Sequence, residues 1–230
     1  MIDIEKGISI EYTGAPEFYD FHNQKYAAWQ QGQAVPAGYA TVGRLLVEPA
    51  LLEQAAAEIS QLPNYDSFQH IDIVDEDGPL ASQYLIDFVN TCYEQFNKLV
   101  MLDTKRYAQR GHDDDGEEYI YVGPYENAYY NHWHLDDPEG LTPGSVTYTV
   151  TLLGPSTLYT DDQLSVSDYD RGGFLLKPQK LNHVTASPLG VVTVHHGQMC
   201  AHSSPLETSN GQPRLFMNYL KQAAFKPNTA

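Results

Sequence analysis

The stretch Asn131-His132-Trp133-His134-Leu135-Asp136-Asp137 holds the side chains best suited to chemistry. In an extended strand, residues i and i+2 project from the same face. His134 and Asp136 then stand side by side and can take two neighbouring positions on one metal ion. A second imidazole from a distant strand would complete a facial set of two histidines and one carboxylate. Such a set leaves three positions of an octahedral ion open, which suits oxygen chemistry at Fe(II).

His-x-Asp alone has little specificity, so the downstream residues decide. His183, His195, His196 and His202 can each be the second imidazole. His195 and His196 are neighbours on a strand and face opposite ways, and neither is followed by a fitting partner. His202 lies just past a turn, and twelve positions later Arg214 opens the run Arg214-Leu215-Phe216-Met217-Asn218-Tyr219-Leu220. A guanidinium gives a planar, two-pronged grip on a carboxylate. It would hold the far end of a dicarboxylate cosubstrate that chelates the metal through its other carboxylate and a neighbouring keto oxygen. Buried without such a partner, the charge would be costly.

On these residues the chain resembles the 2-oxoglutarate- and Fe(II)-dependent oxygenases, whose pattern is His-x-Asp, a long gap, His, then Arg. It is met by His134, Asp136, His202 and Arg214. Tyr121-Val122-Gly123 ahead of Tyr129-Tyr130 is similar to the strand before His-x-Asp in the prolyl-hydroxylase-like branch. Gly154-Pro155-Ser156-Thr157-Leu158-Tyr159 is similar to an element of taurine-dioxygenase-like members whose Thr touches 2-oxoglutarate. The resemblance spans roughly residues 39–220, but its motifs amount to a handful of positions, and the spacing matches no single subfamily.

The resemblance implies a double-stranded β-helix, or jelly roll, with the site between its sheets. It makes His134, Asp136 and His202 the Fe(II) ligands, and Arg214 and Thr157 the residues holding 2-oxoglutarate. The implied reaction consumes O2 and 2-oxoglutarate, oxidises a substrate C–H bond and releases CO2 and succinate. Because Asp136 is present, hydroxylation is expected rather than halogenation, for which related enzymes carry a small residue there. Two rival readings are a cupin-like metalloenzyme that does not use 2-oxoglutarate and a non-enzymatic β-sandwich binding module.

The remaining reactive side chains have plainer readings. His22, His70, His112 and His183 read as structural, His195 and His196 as hydrogen-bonded sheet residues, and Trp133 as packing on the face opposite His134. Ser203 and Ser204 lack a Gly-x-Ser-x-Gly elbow. Cys92 and Cys200 lack the setting of a reactive thiol. Asp113-Asp114-Asp115 lies in the polar run 112–118, which reads as a solvated hairpin tip because its spacing is not that of a calcium loop.

These residues need a scaffold. Tyr39–Val47 reads as a strand, and Glu48-Pro49 opens a helix, with Pro at a first-turn position. Leu51, Leu52, Ala55, Ala56 and Ile59 recur at helical spacing before Pro63. A second helix is expected from Pro79 to about Val100, with Leu80, Tyr84, Leu85, Phe88, Val89, Cys92, Phe96 and Leu99 on one stripe that reads as core. After it, strands are expected at 119–134, 145–153, 174–176, 190–196 and 214–220, with loops at 137–144 and at Gly154-Pro155. In the strand 145–153, Thr147, Thr149 and Thr151 share one face, and Val146, Tyr148, Val150 and Leu152 the other. The expected fold is mainly β with flanking helices: a jelly-roll, cupin-like core at 101–222, covered by a strand and helices in 1–100, as a single domain over 1–230.

Composition bounds the rest. The 230 residues carry 13 basic and 30 acidic side chains, a formal charge of −17. That balance opposes binding to phosphate backbones or anionic membranes. Two cysteines in this length favour a reduced compartment, and no signal peptide or transmembrane run is evident. A cytoplasmic enzyme acting on a small molecule, such as an amino acid or natural-product intermediate, is the resulting expectation. A protein side chain is the less favoured substrate.

Overall fold

The computed structural model describes residues 3–15, 18, 25, 27–29, 31–36, 38–62, 74–75, 78–79, 81–107, 112–125, 132–136, 145–170, 175–178, 180–197, 199–205 and 212–223. Helical turn α1 (Ile4–Gly7) leads into strand β1 (Ile8–Tyr12), which pairs antiparallel with β2 (Tyr39–Val47). Helix α2 (Pro49–Ile59) follows with Pro49 in its first turn, and buries Leu51, Ala55 and Ile59, four apart on one face.

Where the second helix was expected to open, Gly78–Pro79 (β4) instead pairs with Val74–Asp75 (β3). Helix α3 runs from Gln83 to Tyr107. Ser82 caps it: its hydroxyl oxygen accepts the Leu85 N–H at 3.1 Å. The same hydroxyl donates to the Glu58 carboxylate and so ties α3 to α2. Tyr84 is half-buried, while Leu85, Phe88, Val89, Cys92, Phe96 and Leu99 are buried in the main core.

Helix α3 also outruns the expected end near Val100. One turn beyond Leu99 the inward position is Asp103, fully buried and accepting hydrogen bonds from Tyr12 (3.1 Å) and Tyr148 (3.0 Å). Thr104 beside it is buried too, while Met101 and Leu102 are exposed. The apolar periodicity therefore stops about two turns before the helix does.

The β core comprises β5 (His112–Tyr125), β6 (Val146–Leu153), β7 (Leu158–Thr160), β8 (Val184–Ala186), β9 (Val191–His196), β10 (His202–Ser203) and β11 (Gln212–Ala223). One sheet has the order β1-β2-β9-β6-β11-β5, the other β10-β7-β8. Antiparallel bridges extend the smaller sheet from His202 to His134 and from His134 to Leu175. Followed along the chain, β5 lies in the large sheet and His134 in the small one. The path then runs to β6 (large), β7 and β8 (small), β9 (large), β10 (small) and β11 (large). That alternation is a jelly roll. β1 and β2 extend its large sheet directly, beyond the cover expected of the N-terminal region.

Three expected elements differ. The run 112–118 is backbone-paired strand, with Lys221 opposite Gly116 and Ala223 opposite His112, and not a hairpin tip. Its acidic residues suggest a turn, but β11 supplies a ladder partner that overrides local composition. Of the expected strand 119–134, residues 119–125 belong to β5 and His134 makes only single bridges, while 126–131 lie outside the described residues. The expected strand at 174–176 is reduced to single bridges at Leu175 and Leu176. The expected loop at 137–144 and the expected helix closure at Pro63 lie outside the described residues.

The large sheet has two chemically distinct faces, both largely buried. Val146, Tyr148, Val150, Leu152, Val192, Val194, Leu215 and Met217 pack with α2 and α3 in the main core. The opposite face carries Thr147, Thr149, Thr151, Thr193, His195 and Arg214 and looks toward the small sheet. Gly154 turns the chain at φ 78°, as its place between strands requires. A Cβ there would lie 2.5 Å from the Pro213 carbonyl oxygen, so the turn and β11 approach as closely as only glycine allows.

Candidate metal centre

Two strand segments deliver the imidazoles. His134 and His202 are directly opposite each other across an antiparallel bridge. The His134 N–H donates to the His202 carbonyl at 2.9 Å, and the His202 N–H donates back at 3.0 Å. Side chains of such a pair emerge on the same face. Their ring centroids are 4.4 Å apart. Leu135 points the other way into a second buried cluster with Trp29, Val35, Leu164 and Tyr169. Trp133 packs on that cluster, as strand alternation predicted.

Asp136 follows two residues after His134. One donor atom from each of His134, Asp136 and His202 lies within 4.8 Å of the others. Asp136 Oδ1 is 3.2 Å from His202 Nε2. Cis ligands each about 2.1 Å from an ion stand about 3 Å apart, so the Asp136–His202 pair already stands near that separation.

The ring orientations suit such a role. His134 Nδ1 sits 2.7 Å from the His132 carbonyl, and His202 Nδ1 sits 3.2 Å from the Cys200 carbonyl. A carbonyl only accepts, so each Nδ1 carries the hydrogen when the ring is neutral and Nε2 keeps its lone pair. This donor set fits a divalent transition metal.

Charge reinforces the geometry. Burial, with His202 nearby, lowers the His134 pKa to about 4, so this imidazole is neutral at ordinary pH. Burial alone would raise the Asp136 carboxyl, but His202 and His195 hold it well below the usual carboxylate range. Burial opposes protonation of His202, yet the adjacent Asp136 carboxylate raises its pKa.

Two further side chains grip Asp136. The Thr147 hydroxyl donates to Oδ2 at 2.6 Å, and His195 Nε2 lies 3.0 Å from the same oxygen. His195 is fully buried, and its Nδ1 lies 3.3 Å from the Tyr159 hydroxyl, which meets Thr149 Oγ1 at 2.8 Å. His196, its neighbour, points to the helix side and stacks on Phe18 with centroids 4.0 Å apart. The sequence left His195 among four alternatives and gave Thr147 no role. The inward Thr face of β6 and the opposite facing of His195 and His196 were the available signals.

Arg214 is buried on the inward face of β11. Its Nε donates to the Pro155 carbonyl at 3.0 Å, and its guanidinium lies 4.8 Å from the Phe216 ring centroid and 5.7 Å from that of Tyr121. Thr157 is buried on the same Gly154–Thr157 turn that supplies the Pro155 carbonyl, and its own carbonyl accepts the Ser187 N–H at 3.0 Å. By alternation its side chain shares the face of Tyr159, whose ring centroid is 6.3 Å from that of His202. The structure thus gathers His134, Asp136 and His202 at one point, while Arg214 on β11 is hydrogen-bonded to the turn that carries Thr157. Among the described residues, no helix is long and apolar enough to cross a membrane.

No protein-family model and no curated protein matches this sequence. Some solved structures are similar to the chain at low identity. A Pseudomonas putida prolyl-4-hydroxylase is 12% identical at TM-score 0.42, with 94% of this chain and 98% of that one covered. The non-heme monooxygenase ThoJ, as a nickel complex, is 15% identical at TM-score 0.38, with 89% and 77% covered. The Fe(II)/(alpha)ketoglutarate-dependent dioxygenase TqaL is 10% identical at TM-score 0.38, with 92% of each chain covered. What the site here can do is read from its own geometry.

Proposed function

We propose that this chain is a non-haem Fe(II), 2-oxoglutarate-dependent oxygenase that oxidises, and most simply hydroxylates, a C–H bond of a small molecule. The observation that carries this reading is the convergence of two Nε2-presenting imidazoles and one carboxylate within 4.8 Å, with a buried arginine on the inward face of the same jelly roll. His134, Asp136 and His202 would hold the ion. When bound, Fe(II) supplies the site at which O2 is reduced as 2-oxoglutarate loses CO2 and becomes succinate.

The chain's own tasks are binding, orientation and exclusion of water. Arg214 donates its Nε–H to the Pro155 carbonyl and lies beside Phe216 and Tyr121, and its guanidinium would grip the far carboxylate of 2-oxoglutarate. Thr157 would add a hydroxyl to that grip. Burial strengthens such charge-assisted bonds, because water does not compete for them. No general base is required of the protein for hydrogen-atom abstraction. Its contribution is to fix the substrate C–H near the ion and keep the cavity dry.

The test is to supply Fe(II), 2-oxoglutarate and O2 with a panel of amino acids and small natural products. Succinate formation is expected, and it should be lost in His134→Ala and Asp136→Ala. Metal retained unchanged in both variants would favour a binding module. Metal binding without any turnover of 2-oxoglutarate would favour the cupin-like alternative.

A further inference from the structure

We propose that His195 is a positioning residue that fixes Asp136 as a one-oxygen metal ligand, and that Tyr159 holds His195 in the required tautomer. This deepens the metal-centre reading above and rests on it. A carboxylate oxygen offers two in-plane lone pairs. On Asp136 Oδ2 both are taken, one by the Thr147 hydroxyl at 2.6 Å and one by His195 Nε2 at 3.0 Å. Oδ1 is left facing His202 Nε2 at 3.2 Å. With Oδ2 turned away, the carboxylate contributes one bond, and three positions of an octahedral ion stay open. A two-oxygen ligand would close one of them.

His195 can donate to Oδ2 only if Nε2 carries the hydrogen. The Asp136 carboxylate only accepts, so Nε2 carries the hydrogen and the neutral ring's Nδ1 is left as an acceptor; the Tyr159 hydroxyl, 3.3 Å away, then serves as its donor and accepts in turn from Thr149 Oγ1 at 2.8 Å, which supports that tautomer. His195 is 0% exposed and Tyr159 1%, so bulk water cannot replace either bond. The chain Thr149–Tyr159–His195–Asp136 therefore runs from β6 through β7 and β9 to the ligand. It couples the carboxylate's orientation to both sheets.

The experiment is Mn(II) titration by calorimetry, with the Mn(II) EPR line shape as a second readout. The proteins are wild type, His195→Phe, His195→Gln, Tyr159→Phe and, as control, His134→Ala. His195→Phe keeps the ring volume but removes the donor, and should weaken Mn(II) binding by about 10- to 100-fold and alter the EPR spectrum. His195→Gln, whose amide N–H can reach Oδ2, should stay within about threefold of wild type. Tyr159→Phe should fall between them. Wild-type affinity in His195→Phe, with binding lost in His134→Ala, overturns the proposal and leaves the metal centre standing. Equal losses in His195→Gln and His195→Phe also overturn it, since packing rather than donation would then be at work. Unchanged binding in His134→Ala overturns the metal-centre reading itself. Should His195→Phe fail to fold, Tyr159→Phe decides: wild-type Mn(II) affinity there overturns the relay.

Discussion

Arg214 presents a buried guanidinium whose Nε is already committed to the Pro155 carbonyl, so the direction of its fork is set before any ligand arrives. Lysine would keep the charge but lose both that tether and the planar pair of donors. Arg214→Lys is expected to weaken 2-oxoglutarate binding on the order of 10- to 100-fold, the scale of one or two charge-assisted hydrogen bonds, and to leave Mn(II) affinity unchanged. Titrating each ligand separately by calorimetry checks this. An equal loss of both would mean that the substitution disturbs the whole site. At this scale the sequence was informative where chemistry needs a fixed local spacing, as in His134 and Asp136. It was less so where contacts cross between sheets. Thr147 and Asp136 are eleven residues apart and His195 and Asp136 fifty-nine, and no local pattern links either pair.

Helix α3 shows how an element can be right in kind and wrong in extent. Its apolar stripe predicted both the helix and the buried face. Its last two turns were hidden because the next inward residue after Leu99 is Asp103, made tolerable by hydroxyls from Tyr12 and Tyr148 that only the folded chain supplies. Cys92, at the centre of the stripe, gives a test by pH. Burial raises its thiol above the ordinary value of 9.0. The folded state therefore keeps this proton where the unfolded chain releases it. The resulting stability is fully present below pH 9 and declines as pH rises above it. Urea midpoints should fall on the alkaline side, less steeply in Cys92→Ala than in wild type. Native Cys92 should also resist alkylation at pH 8 until the protein is unfolded.

The whole molecule ties the candidate ligands to closure of the jelly roll. His134 and His202 meet only when two segments distant in sequence pair in the small sheet, so an unfolded chain offers no preformed site. Mn(II) at about 100 times its Kd should then stabilise the protein by about 2.7 kcal/mol. For a chain of this size that corresponds to a Tm rise of roughly 5–10 °C, reversed by chelator and absent in His134→Ala. The mainly β architecture was legible because short strands alternate with turn signals, and Gly154 and Gly190 do take positive φ at such turns. The order of strands was not legible: β9 lies between β2 and β6, and nothing local specifies that.

Strand β6 carries one last consequence. Its three threonines face the small sheet, and its aliphatic and aromatic residues meet the helices, with both sets buried. Sliding the strand by a single residue would exchange the two sets. Three threonines would be driven into oil, and Asp136 would lose its closest donor. The strand's two-faced pattern thus specifies its own alignment, because the same threonines that face Asp136 penalise a slipped register.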